Sequence, residues 1–221
     1  MTRLPIVVLC SGRGSNLQAL IDTAATGALP IEIRAVLSDK PKCIALERAR
    51  AAGIATVALR ARDYADRATF DHALFAEAAR FEPQLVVLAG YMRVIDAAVV
   101  APWHGRMINI HPSLLPKYPG LHTHRSALNA GDSVHGSSVH FVTAELDGGP
   151  VIAQIEMPVE PDDDEDSLAA RLLVLEHRLL VASVALIAQG AIELDGRRVS
   201  YRGTPLAAPL LLDAQGGLVA R

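Results

Sequence analysis

At 221 residues the chain can bury a substantial core, as one large domain or at most two small ones, and a single domain is expected. A net charge of -3 with 20% charged residues leaves no basic excess to draw it onto nucleic-acid phosphates or anionic lipid. Two cysteines without CxxC spacing exclude a disulfide framework or a thiolate zinc site, so Cys10 and Cys43 are expected as core thiols of a reducing compartment.

The first apolar run ends at Ser11, too short for a signal peptide, and the longest apolar segment, residues 179–188, is too short to cross a bilayer. A cytoplasmic protein with neither nucleic acid nor membrane as partner is expected. Runs rich in Val, Ile and Leu recur at residues 5–10, 31–37, 54–59, 84–89 and 106–110, each separated by a segment of helical pattern. That alternation predicts βα units, and hence a parallel sheet with crossover helices. Asn16 is placed to cap a helix from Leu17 that Gly27 stops, and a second helix over residues 43–52 ends at Gly53.

After Gly131 the pattern changes. Residues 135–143 and 151–159 are long strand-like runs joined by a short loop, which predicts antiparallel pairing. The acidic run from Asp162 to Asp166 reads as a solvated turn that puts negative charge before a helix beginning near Ser167 and running over residues 168–189. Asp195-Gly196 between alternating residues of the segment 192–201 predicts a terminal hairpin. No motif marks the stretch from Gly203 onward.

Two loops carry chemistry. Ser11-Gly12-Arg13-Gly14-Ser15-Asn16 stands between the first strand and the first helix, where backbone N–H groups and a helix N-terminus converge on an anion. The third glycine of a dinucleotide fingerprint would fall at Leu17, and no Walker lysine follows, so one phosphate fits better than two. A tight βα turn using glycine for its backbone freedom explains the glycines equally well; the side chains of Ser15 and Asn16 favour the phosphate.

The second is Asn109-Ile110-His111-Pro112-Ser113-Leu114-Leu115-Pro116, with Asp147-Gly148-Gly149-Pro150 downstream. In a strand Asn109 and His111 point to the same face, a costly arrangement unless partners or a ligand satisfy them. Pro112, Pro116 and Pro119 stiffen the loop into a wall. Asp147 is either an ordinary turn aspartate or a carboxylate that holds a histidine in its charged form. His111, His122, His124, His135 and His140 fall close together, but their spacing matches no metal-binding pair and only Asp147 could complete the set, so no metal is expected.

Together with Ala89-Gly90-Tyr91-Met92-Arg93 and His135-Gly136-Ser137-Ser138-Val139-His140-Phe141-Val142, these motifs resemble the phosphoribosylglycinamide formyltransferase family. The resemblance runs to about Gly190, and Asn-x-His-Pro-Ser-Leu-Leu-Pro with Asp-Gly-Gly is specific for the wider 10-formyltetrahydrofolate transferase superfamily. It implies an α/β fold, a doubly wound, mostly parallel sheet with antiparallel C-terminal additions. Within one domain over residues 1–221 it implies a phosphate-binding half (1–102), a folate-binding and catalytic half (103–202) and a tail (203–221).

The resemblance further implies that Gly14, Ser15 and Asn16 hold a ribose phosphate and that Glu176 contacts the ribose, where the residue alone reads as a solvated helical glutamate. Arg67, Met92, Arg93, Val94, Ile95, Asn109, Val142 and Thr143 fall at folate-side positions; as residues alone the first five read as surface arginines and core aliphatics. His140 reads equally as a packed, hydrogen-bonded histidine. Asn109, His111 and Asp147 become the catalytic set, with 10-formyltetrahydrofolate as co-substrate, no metal, small-molecule substrates, and a monomer or homodimer as the assembly. A formyltransferase acting on an amino-sugar nucleotide, a non-catalytic folate-binding module and a histidine-based metallohydrolase are the rival readings.

Overall fold

The structure, a computed structural model, describes residues 3–220, and the chain divides after Asn109 into two compact units. In the first, β1 (Leu4–Leu9), α1 (Ser15–Ala25), β2 (Ile31–Ser38), α2 (Ile44–Ala51), β3 (Ala55–Ala58), α3 (Arg67–Ala79), β4 (Leu85–Leu88) and α4 (Ala97–Val100) lead into β5 (Met107–His111). The strands lie in the order β3-β2-β1-β4-β5, every neighbouring pair parallel. Ile6, Val7, Val8 and Leu9 are fully buried, as are Val86 and Val87 beside them. Central parallel strands of this kind read as unbroken apolar runs, which is why the sequence announces them. The chain winds outward from β1 to β3, then returns to β4 and β5, so the winding reverses between β1 and β4. Open α/β sheets bind ligands outside the carboxyl ends of their strands at such a reversal.

Helix α1 buries Leu17, Leu20 and Ile21, one face at helical spacing. Its start corrects one expectation. The cap position is Gly14, in the left-handed conformation at φ 71°, and the helix begins at Ser15, so Asn16 lies inside the first turn and does not cap it. The left-handed turn reverses the chain early enough to bring Ser15 into the helix.

The second unit carries α5 (Thr123–Ala130), β6 (Val134–Phe141), β7 (Val151–Pro158), α6 (Glu165–Ala188), β8 (Ile192–Asp195), β9 (Arg198–Tyr201), β10 (Thr204–Pro205), β11 (Leu210–Leu212) and β12 (Leu218–Val219). Strands β6 and β7 pair antiparallel, β11 joins β7 in parallel and β12 closes on β11 antiparallel; β8, β9 and β10 form a separate antiparallel sheet. The stretch after Gly203 is therefore structured, with Leu210 fully buried. Its strands are two or three residues long, below what periodicity can register.

Helix α6 packs on β6 and β7 and buries Leu168, Leu172, Leu179 and Leu180 completely, each contributing about 1.5–3 kcal/mol over an exposed side chain. The acidic run before it is more than a solvated turn. The Asp164 carboxylate accepts the Ser167 N–H in a capping box that starts the helix at Glu165, and the side chain of Asp163, only 4% exposed, pairs with Arg171. Among the described residues no helix is long and apolar enough to cross a membrane.

Candidate active site

Ser11, where β1 ends, knits the winding reversal together. Its N–H donates to the Gly90 carbonyl at 2.9 Å, while its hydroxyl donates to Asp39 Oδ1 at 2.7 Å and accepts the Met92 N–H at 3.0 Å. The loop then turns at Gly14, where a Cβ would stand 2.7 Å from Ala45 Cα in a conformation that only glycine adopts freely. The N-terminus of α1 has no side-chain cap and no acidic residue in its first turn. Its positive dipole end suits an anion held by Gly14, Ser15 and Asn16.

The segment after β4 departs from the core reading of its aliphatics. Met92 is 62% exposed and Val94 45%, while Ile95 is buried. Arg93 lays its guanidinium 5.0 Å from the Phe70 ring centroid. The buried Asp71 carboxylate accepts the Asp96 N–H at 2.9 Å; burial raises its pKa, against the opposing positive fields of Arg93 and Arg67. Arg67, exposed at the start of α3, and Arg93 are thus brought to bear on one carboxylate. Asn109, half-buried, sits opposite Leu88 near the end of β5, two residues before His111.

In the second unit His111 is 5% exposed. Its Nε2–H donates to the Tyr118 carbonyl at 2.9 Å, which leaves Nδ1 facing Asp147 Oδ2 at 3.5 Å. The same carboxylate meets Nε2 of the buried His140 at 3.6 Å and accepts the Gly120 N–H at 2.8 Å. The Asp147 loop is tightly wound: Asp147 itself is left-handed at φ 48°, and a Cβ on Gly149 would stand 1.8 Å from the Phe141 carbonyl oxygen. Val142 and Thr143 lie half-buried at its entrance, and Glu176 is 8% exposed on α6, a buried residue where a solvated glutamate is the plain reading of the sequence.

The electrostatics qualify the expectation that Asp147 holds His111 in its charged form. Burial pulls the His111 imidazole below its ordinary pKa by more than the Tyr118 carbonyl and the Asp147 carboxylate raise it. Asp147 raises the value and burial outweighs it, so His111 rests neutral near pH 7. Burial also acts to raise the Asp147 carboxyl, but the neighbouring His140 imidazole and the Gly120 N–H hydrogen bond outweigh it and the group stays below the usual carboxylate range.

Several supporting residues escape a linear reading. Ser137 Oγ donates to the His111 carbonyl at 2.7 Å, Ser138 Oγ to the Ser113 carbonyl at 2.7 Å, and Gln154 Nε2 to the Leu115 carbonyl at 2.9 Å. These bonds pin the proline-rich loop to β6 and β7, and they join segments 25 to 39 residues apart, so no local pattern announces them. The partial signal is the polar run from His135 to His140 in a strand that is otherwise core. Of the clustered histidines, His124 and His135 meet each other, with Nδ1 and Nε2 3.1 Å apart, and among the described residues no group of three or more His, Cys, Asp or Glu converges on a metal position.

The formyl transferase family model matches residues 4–184 of this chain. The chain is 50% identical over 205 residues to the phosphoribosylglycinamide formyltransferase of Escherichia coli K12, covering 90% of this chain and 97% of that one. It is 44% identical over 190 residues to the trifunctional purine biosynthetic protein adenosine-3 of Drosophila melanogaster, of which it spans 14%. Among solved structures, the phosphoribosylglycinamide formyltransferase of Coxiella burnetii in complex with CHES superposes with a TM-score of 0.88 at 42% identity, covering 99% of this chain and all of that one.

Proposed function

The chain belongs to the formyl transferase family, and from that membership we infer that it is an enzyme transferring the formyl group of 10-formyltetrahydrofolate to the amine of 5′-phosphoribosylglycinamide, in purine biosynthesis. The observation that carries the chemistry is the pairing of His111 Nδ1 with Asp147 at 3.5 Å, two residues beyond Asn109 on the same strand face. In this reading Gly14, Ser15 and Asn16 bind the ribose phosphate and Glu176 the ribose. Arg67, Met92, Arg93, Val94, Ile95, Asn109, Val142 and Thr143 serve the folate, with the exposed faces of Met92 and Val94 supporting that role. The reaction uses small molecules and needs no nucleic acid, membrane or metal; a cytoplasmic monomer or homodimer satisfies it.

The glycinamide nitrogen attacks the formyl carbon and forms a tetrahedral intermediate with a negative oxygen and a protonated amine. The Asn109 amide donates to that oxygen, an interaction made fully only as charge develops. Neutral His111 takes the amine proton at Nδ1, the nitrogen not held by Tyr118. The imidazolium is then stabilised by Asp147 and returns the proton to the folate nitrogen as the bond from carbon to that nitrogen breaks. The products are the formamide and tetrahydrofolate, with no covalent enzyme intermediate.

Formyl transfer from 10-formyltetrahydrofolate to phosphoribosylglycinamide, assayed beside an amino-sugar nucleotide, tests the reading directly. Turnover confined to the phosphoribosyl amine is expected. Equal or better turnover with the amino sugar would assign the chain to another acceptor.

A further inference from the structure

Tyr118 holds a costly backbone. It is left-handed at φ 52°, a region that bulky side chains rarely adopt, and it precedes Pro119, whose ring biases the residue before it to extended conformations. Such a residue persists only where its surroundings enforce it.

The enforcement comes through its side chain. The Tyr118 hydroxyl donates to Asp132 Oδ2 at 2.8 Å, and Lys117 Nζ reaches both oxygens of the same carboxylate at 3.0 Å. Asp132 stands where α5 gives way to β6: Gly131 ends the helix in the left-handed conformation, and the Asp132 N–H donates to the Ala127 carbonyl at 3.1 Å. A carboxylate fixed at a helix end thus anchors a tyrosine in the irregular loop before that helix.

The Tyr118 carbonyl in turn accepts the His111 Nε2–H at 2.9 Å. A neutral imidazole carries one proton, and a carbonyl can only accept, so this bond keeps the proton on Nε2 and the lone pair on Nδ1. Asp147 Oδ2, 3.5 Å from Nδ1, is an acceptor as well and favours the opposite tautomer. Two acceptors compete for one proton, and the Tyr118 carbonyl is the closer.

We propose that the Tyr118 side chain and Asp132 form a clasp that fixes the tautomer of His111 and so keeps Nδ1 free as the base. Both are positioning residues, since they act only through the Tyr118 carbonyl. The effect on turnover rests on the formyl-transfer reading; the effect on the tautomer does not.

Tyr118→Phe, which removes the hydroxyl and keeps the ring and the carbonyl, is the test. NMR correlation of ring protons with ring nitrogens in histidine-labelled protein reads the tautomer, the His111 signals being identified by their loss in His111→Asn. The parent should carry its proton on Nε2, and the variant should show the Nδ1–H tautomer appearing beside it. Turnover should fall about two- to tenfold, the size of one lost neutral hydrogen bond, with KM unchanged for both substrates. The Tyr118 carbonyl acts to raise the His111 pKa, so the acidic limb of the rate profile should move to lower pH in the variant. Asp147, His140, His124 and His135, the titratable groups that act on His111, are retained throughout. Asp132→Asn, which leaves a weaker acceptor for the hydroxyl, should give the same changes at smaller size and serves as the test if Tyr118→Phe melts early. A tautomer and an acidic limb unchanged in a folded variant overturn the proposal, even if turnover falls. A parent that shifts its tautomer on Tyr118→Phe but transfers no formyl group would uphold the clasp and refute the assigned reaction.

Discussion

The glycine loop after β1 and the loop around Asp147 are both candidates for aiming groups at a ligand, yet they are made of different materials. The first is backbone: a left-handed Gly14, a helix N-terminus, and a serine hydroxyl tying three strand ends together. The second is side chains out of water: a carboxylate between two buried imidazoles, on a residue that is itself left-handed and not glycine. Anion binding needs only fixed dipoles, which glycine permits cheaply. Proton transfer needs groups whose affinities are shifted, and the shift comes from burial that the neighbouring structure must enforce. The first loop should therefore tolerate loss of side chains better than loss of glycine, and the second should behave in the opposite way.

The sharpest break in that contrast is Asn109→Ala. If the strand-end amide stabilises the developing oxyanion, turnover should fall about 100- to 1,000-fold with little change in KM for either substrate, the size of other single-donor losses. Steady-state kinetics on a variant with an unchanged unfolding curve checks this. A rise in KM with turnover intact would make Asn109 a binding residue only.

His135 probes whether burial really sets proton affinity in the second unit. Burial, helped by the neighbouring His124, lowers its pKa to about 4. The unfolded chain then binds a proton between about pH 6.5 and 4 that the folded protein refuses. The stability held by this group is full above 6.5 and is lost as pH falls towards 4, about 3 kcal/mol in all. Urea unfolding across that range should show a slope flattened by this amount in His135→Asn. An imidazole resonance titrating near 6.5 in the folded protein would contradict it.

Gly14→Ala is the matching test in the first unit. The added Cβ meets Ala45 at 2.7 Å, at a φ of 71°. A loss of about 2 kcal/mol is expected, with KM rising for the nucleotide and not for the folate. Equal effects on both would mean that the loop serves the fold and not the phosphate.

What could be read in advance follows the same division. The five strands of the first unit and its glycine loop declare themselves because runs such as Ile6 to Leu9 and turns such as Gly14 are local facts of the chain. Asn109, His111 and Asp147 stood out as polar groups beside apolar runs, but their order of influence did not. That Tyr118 rather than Asp147 holds Nε2, and that burial outweighs a carboxylate at 3.5 Å, depend on contacts closed by folding. The strands after Gly203 were illegible for another reason. At two or three residues each they have no period, and β11 is defined by its pairing with β7, more than fifty residues earlier in the chain.

Asp147→Asn separates the two roles that the carboxylate could have. With neutral His111 as the proton acceptor, the rate should climb with pH through the depressed His111 pKa and stay level above it. Asp147 acts to raise that pKa, so removing its charge should move the acidic limb of the profile to lower pH. The plateau should fall at the same time, about tenfold, because the imidazolium formed in the reaction has lost its partner. The two changes have opposite consequences for activity in acid, and only a group coupled to His111 produces both. If Asp147 merely shapes its loop through the Gly120 N–H, the asparagine, which keeps an oxygen for that bond, would leave the limb where it was.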